Sequence, residues 1–179
     1  MKVLEKILFA GFGGQGILSI GKIFADACIE NDMQASWLPS YGPEMRGGTA
    51  SCSVIIGDEP VGSPIVEHPD ALMVMNLPSL NRYEQAVQSG GTIFVDSTLV
   101  ERKLERSDVK AVYLPATRLA VENDMPSLAN MILTGKILEE MGEFDMDGVQ
   151  AALKKVVSAK HPEMFDLNLK ALQIGRDFK

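Results

Sequence analysis

Apolar and polar positions follow two rhythms along the chain. Ile7-Leu8-Phe9-Ala10, Ala71-Leu72-Met73-Val74-Met75 and Thr92-Ile93-Phe94-Val95 are short apolar runs, with the length expected of strands buried on both faces. Between them the period lengthens. From Ile17 to Glu30, the residues Ile17, Ile20, Phe24, Ala27 and Cys28 fall on one helical stripe. Gln34 to Leu38 predicts a second strand, stopped by Pro39. Ala50 to Ile56 alternates small and apolar residues as a strand does, and Gly57-Asp58-Glu59-Pro60 turns it. Pro64-Ile65-Val66 predicts a short extended piece and Lys110 to Leu114 a further strand. A helix is expected from Ser79 to Ser89, closed by Gly90-Gly91.

The remainder reads as helical. One helix starts at Pro126, capped at Asp124 or Met125, and runs through Met141 with Leu128, Met131, Ile132 and Leu138 inward. Asp147 is the expected cap of a second, whose inner stripe is Val149, Ala152, Leu153, Val156 and Val157. A third, after Pro162, groups Phe165, Leu169 and Leu172. Strands alternating with helices predict an α/β fold: an open, mainly parallel sheet with helices on both faces and a Rossmann-like opening. The strand near 50–56 reads as an antiparallel insertion, and the C-terminal region as helical. A length of 179 residues suits a single domain, 1–179.

Composition narrows the function classes. The formal net charge is −7, and residues 1–100 hold only 5 basic side chains against 11 acidic ones. A chain without a basic cluster is a poor nucleic-acid binder, because phosphate-backbone affinity needs several Lys or Arg. The apolar stretch near the start is too short to span a membrane and shows no secretory pattern, so a cytoplasmic location is expected. Cys28 and Cys52 form no CxxC pair, and reduced, packed thiols are expected. His68 and His161 each precede proline in turn-like sequence and read as structural or exposed.

Two segments carry candidate chemistry. Gly11, Gly13 and Gly16 match G-x-G-x-x-G between a strand and a helix, with Gly14 and Gln15 inside the pattern. The first glycine permits a tight turn, the second a close phosphate approach and the third a close helix–sheet contact. Three readings stand: an anion held at the helix amino end, a purely structural close approach, or an NAD or FAD site. The last needs an acidic residue at the end of the second strand, where the chain has Trp37-Leu38-Pro39-Ser40. The second segment is the loop 39–49, PSYGPEMRGGT, with Ser40, Tyr41, Glu44, Arg46, Gly47, Gly48 and Thr49 as candidates. From 33 to 57 the only charges are Glu44 and Arg46. Arg46 suits a carboxylate or phosphate in bidentate fashion, and Gly47 and Gly48 suit a nest of N–H donors. Ligand contact and a subunit interface are both open for this loop, as is local scaffolding by a Glu44–Arg46 pair. Asp96 and Ser97 end a strand without a partner base, so they make no triad.

AGFGGQG at 10–16, WLPSYGPEMRGGTASCSV at 37–54 and GSP at 62–64 together resemble the gamma subunit of 2-oxoacid:ferredoxin oxidoreductases, in the form typical of 2-oxoglutarate and branched-chain 2-oxoacid members. The resemblance implies a subunit, inactive alone, of an enzyme that oxidatively decarboxylates a 2-oxoacid to an acyl-CoA and reduces ferredoxin. It implies alpha and beta partner subunits and, in some arrangements, a ferredoxin-like delta subunit. Thiamine diphosphate, Mg2+ and iron–sulfur clusters are then expected on partner chains, with none bound by this chain alone. The Gly-Asp-Gly opening of a thiamine diphosphate site is absent here. Coenzyme A is the anion that the resemblance suggests for the glycine turn and Arg46. An orphaned docking surface would let the isolated chain form a homodimer. The competing classes are a free-standing nucleotide-binding, Rossmann-like oxidoreductase and a regulatory module.

Overall fold

The computed structural model describes residues 4–42, 48–142, 144–157 and 162–179. Of the candidate residues, Glu44, Arg46 and Gly47 lie outside these, as does His161. Strands β1 (Leu4–Phe12), β2 (Gln34–Tyr41), β3 (Thr49–Gly57), β4 (Ala71–Val74), β5 (Thr92–Asp96) and β6 (Lys110–Leu114) form one sheet in the order 2-3-1-4-5-6. β1, β4, β5 and β6 run parallel, and β3 runs antiparallel to both β1 and β2. The α/β fold with its antiparallel insertion is therefore as the residue pattern predicts. The strand–turn–helix opening is there too, but β3 separates β2 from β1. The first and second strands of a dinucleotide-binding unit lie side by side; here they do not.

The helices are α1 (Ile17–Glu30), α2 (Leu77–Tyr83), α3 (Ala116–Glu122), α4 (Ala129–Met141), α5 (Met146–Val156) and α6 (Pro162–Asp177). They cover the two faces unequally. Ile7, Phe9, Val54, Met73 and Phe94 face a large core shared with α1 and α3 to α6. Phe9 and Phe24 meet there at a tilt of 44° with ring centroids 5.2 Å apart, and Phe24 and Phe144 form a T-shaped pair at 5.5 Å. Each such aromatic pair is worth about 1 kcal/mol beyond its buried area. Leu8, Ala10, Leu72, Val74, Ile93 and Val95 point the other way, onto Leu80 of α2, Val87 and Val100. Adjacent residues of β1 and β4 thus serve two cores, as unbroken apolar runs require.

Several boundaries differ from the sequence expectation. β2 does not stop at Pro39 but continues to Tyr41, placing Pro39 opposite Cys52. The hairpin closes with the Gly42 N–H on the Thr49 carbonyl at 2.8 Å. Bonded pairs alternate along an antiparallel ladder, so residues 36, 38 and 40 bond inward and residues 37, 39 and 41 turn their backbone groups outward. The N–H that Pro39 lacks falls on the open edge, where no ladder bond is lost. Asn76 caps α2 by accepting the Ser79 N–H at 2.8 Å, which starts that helix two residues earlier than its apolar spacing suggests. It passes into a 3-10 turn, Glu84–Ala86, well before Ser89. Asp145, not Asp147, caps α5, its carboxylate accepting the Asp147 N–H. Residues 64–66 form no strand. α3 has no amphipathic signature, with only Ala116 and Ala120 buried.

Candidate functional site

The carboxyl end of β1 runs into the glycine turn, and antiparallel pairing brings the start of β3 beside it, with Phe12 opposite Thr49. The two motifs read separately from the sequence therefore meet. Their direct link is the Gly13 N–H, which donates to the Gly48 carbonyl at 2.9 Å. Gly14 (φ 99°) and Gly16 (φ 74°) adopt left-handed backbone that other residues rarely tolerate. Gly16 then caps α1 without any side-chain bond, and α1 has no acidic residue in its first turn. An electropositive helix end free of internal carboxylates favours an anion.

Beside this end lies a cavity of about 260 Å³, lined by Phe12, Gly13, Gly14, Gly16, Ser19, Tyr41 and Ala50 together with Ile17 and Leu18. Tyr41, at the end of β2, forms its outer wall and is 59% exposed. Ser40 and Thr49 are exposed on the same hairpin. Gln15 does not line the cavity. Its Oε1 accepts the Phe12 N–H at 2.7 Å, and its Nε2 donates to the Met75 carbonyl at 3.1 Å. The third motif does not join the other two. Gly62 and Ser63 line a cavity of about 350 Å³ at the opposite end of β1, with Leu4, Lys6, Ile55 and Ile65.

Two buried asparagines flank the turn. A side chain at Gly16 would collide with the Asn130 carboxamide, and Asn130 Oδ1 is buried without a hydrogen-bond partner. Asn130 is 114 residues from Gly16 and sits within an apolar run, so nothing in the sequence singles it out. Asn76 does cap α2, as above, and its Nδ2 is likewise buried and unpartnered. Asn123 is spent on the Leu119 carbonyl at 2.9 Å. Asp96, fully buried, accepts the Thr98 N–H and both the N–H and hydroxyl of Thr117, which ties the end of β5 to α3.

The cysteines do not fit an iron–sulfur cluster. Both are buried without a disulfide. The Cys52 thiol donates to the Ile17 carbonyl at 3.4 Å, burial pushes its pKa up to about 12, and two thiols are too few for the four thiolates that hold a cluster. Among the described residues, no group of three His, Cys, Asp or Glu side chains could hold a metal ion, and no helix is long and apolar enough to cross a membrane.

The chain resembles known proteins in sequence and in fold. The chain is 37% identical over 174 residues to the ketoisovalerate oxidoreductase subunit VorA of Methanothermobacter thermautotrophicus, covering 97% of itself but only 36% of that protein. It is 33% identical to the 2-oxoglutarate synthase subunit KorC of Methanothermobacter marburgensis, covering 97% of itself and 95% of that subunit. The crystal structure of a keto/oxoacid ferredoxin oxidoreductase gamma subunit from Geobacter sulfurreducens superposes with a TM-score of 0.83 at 30% identity, covering 98% of this chain and 95% of that one. The family model described as pyruvate ferredoxin/flavodoxin oxidoreductase matches residues 6–178. With the glycine turn, the hairpin and the sheet order all within that match, the chain belongs to the pyruvate ferredoxin/flavodoxin oxidoreductase family.

Proposed function

We propose that this chain is the gamma subunit of a 2-oxoacid:ferredoxin oxidoreductase whose substrate is 2-oxoglutarate or a branched-chain 2-oxoacid. The observation that carries the reading is the match with a KorC subunit, which covers 97% of this chain and 95% of that subunit. On this reading the alpha and beta subunits supply thiamine diphosphate, Mg2+ and the iron–sulfur clusters, ferredoxin takes the electrons, and the complex works in the cytoplasm. A ferredoxin-like delta subunit completes it where the clusters are carried separately. The cysteine chemistry above agrees with that division of labour.

Within the complex the chain has two tasks. Its uncharged edge strand β2, with Trp37, Leu38 and Tyr41 exposed, docks the catalytic subunits. The glycine turn and the hairpin receive a phosphate of coenzyme A. Gly14, Gly16 and the first turn of α1 offer N–H groups to it, while the Gly13 N–H is already engaged by Gly48. Arg46, two residues before Gly48 in the chain, supplies the guanidinium, and Ser40, Tyr41 and Thr49 border the approach. The nicotinamide alternative is disfavoured by the missing carboxylate at the end of β2 and by the β3 strand that separates β2 from β1.

Arg46→Ala in the reconstituted complex separates the two tasks. A KM for coenzyme A raised about tenfold or more, with assembly intact, is expected from loss of a bidentate phosphate contact. Loss of assembly would assign Arg46 to docking instead, and no change in either would remove it from the site.

A further inference from the structure

We infer that Gln15 is a positioning residue: its carboxamide closes the crevice between β1 and β4 and directs the free donors of the glycine turn toward the hairpin. This deepens the coenzyme A reading above and rests on it for the ligand, though not for the closure itself.

The helix after β1, α1, packs on one face of the sheet and the helix after β4, α2, on the other. β1 and β4 are neighbours, so the chain diverges between them. In open α/β sheets that divergence leaves a crevice at the strands' carboxyl ends, and ligands bind in it. Here it is bridged from within. Gln15 reaches from the end of β1, where Oε1 takes the Phe12 N–H, to the end of β4, where Nε2 meets the Met75 carbonyl. Met75 is itself tied back by its own N–H to the Ala10 carbonyl at 3.1 Å. Both ends of the carboxamide are satisfied.

Gly11 takes on a different meaning. A Cβ there would stand 2.6 Å from Gln15 Oε1 and 2.8 Å from Ile17 Cδ1. The first glycine of the pattern thus makes room for a carboxamide of the chain itself. The cavity at the turn is correspondingly bounded by Tyr41 and Ala50, with neither Gln15 nor Met75 in its wall. The ligand this geometry fits is a single anionic group entering from the hairpin side, not a dinucleotide laid across β1 and β4.

Gln15→Met keeps the length and removes both bonds. In the full chain, hydrogen exchange of the Phe12 amide should accelerate about tenfold, the effect of losing one part-buried bond. Unchanged exchange would overturn the closure whatever the ligand proves to be. Titration with inorganic pyrophosphate, and separately with coenzyme A, followed by amide shifts, tests direction. The wild type should respond at Gly14, Gly16, Ser19 and Tyr41, and Gln15→Met should bind about tenfold more weakly per folded molecule. A merely structural role would lower the melting temperature and leave that affinity unchanged, which contradicts the inference, as would responses centred on Met75 and Asn76. A wild type that responds to neither probe sinks the anion reading and the directing role with it, while the exchange result still decides the closure.

Discussion

Gly14 and Gly16 share a left-handed backbone but not a neighbourhood. An added Cβ at Gly14 meets open space, whereas at Gly16 it runs into Asn130. Gly14→Ala should therefore cost only the conformational penalty, about 1–2 kcal/mol. Gly16→Ala adds a collision and should cost about 3 kcal/mol or more. Urea denaturation of both variants checks this, and Asn130→Ala should return the collision part of the Gly16→Ala loss but not the backbone part. Equal losses in the two glycine variants would mean that Asn130 does not press on the turn. The residue types of this turn were legible because strand, glycines and helix follow one another within 25 residues. The partners of the turn were not: Met75 and Asn130 reach it only through sheet order and helix packing, which no local pattern encodes.

At the scale of elements, the connection between β5 and β6 depends on Glu84, in the 3-10 turn after α2. Its carboxylate pairs with Arg102 at 2.6 Å and accepts the N–H groups of Glu105 at 2.5 Å and Arg106 at 3.3 Å. Burial alone would raise its pKa, but Arg102 and the two N–H groups outweigh burial and hold it below the ordinary 4.5. A carboxylate with a depressed folded pKa stabilises above its unfolded pKa, and that contribution fades as pH falls from about 4.5 through the folded value. Glu84→Gln should lower the melting temperature at pH 7 and flatten its decline below pH 4.5, as thermal melts across pH 3–7 would register. An unchanged acid slope would place that linkage elsewhere. Periodicity foretold most elements and failed where tertiary bonds decide. Pro39 looked like a stop because its edge position was not visible. α3 was missed because its amino end is held by Asp96, 21 residues away, and not by a local cap.

At the scale of the molecule, one face of the sheet carries nearly all the helices, and the open β2 edge carries no charge in a chain of net charge −7. An edge strand without charged side chains is normally a liability. Covered by a partner it becomes an interface, with Pro39 guarding against simple strand addition when uncovered. The family was legible from three short motifs; that two of them meet while the third stands at the far end of β1 was not, because their spacing along the chain is silent about the antiparallel turn of β3. On the function proposed above, this fold is one part of a 2-oxoacid-oxidising machine. The most direct test of that function is purification of the tagged chain from its native host, followed by assay for reduction of ferredoxin or a dye. Alpha and beta subunits should co-purify, and the reduction should require both a 2-oxoacid and coenzyme A. A chain that emerges alone, or a complex indifferent to both substrates, would contradict it.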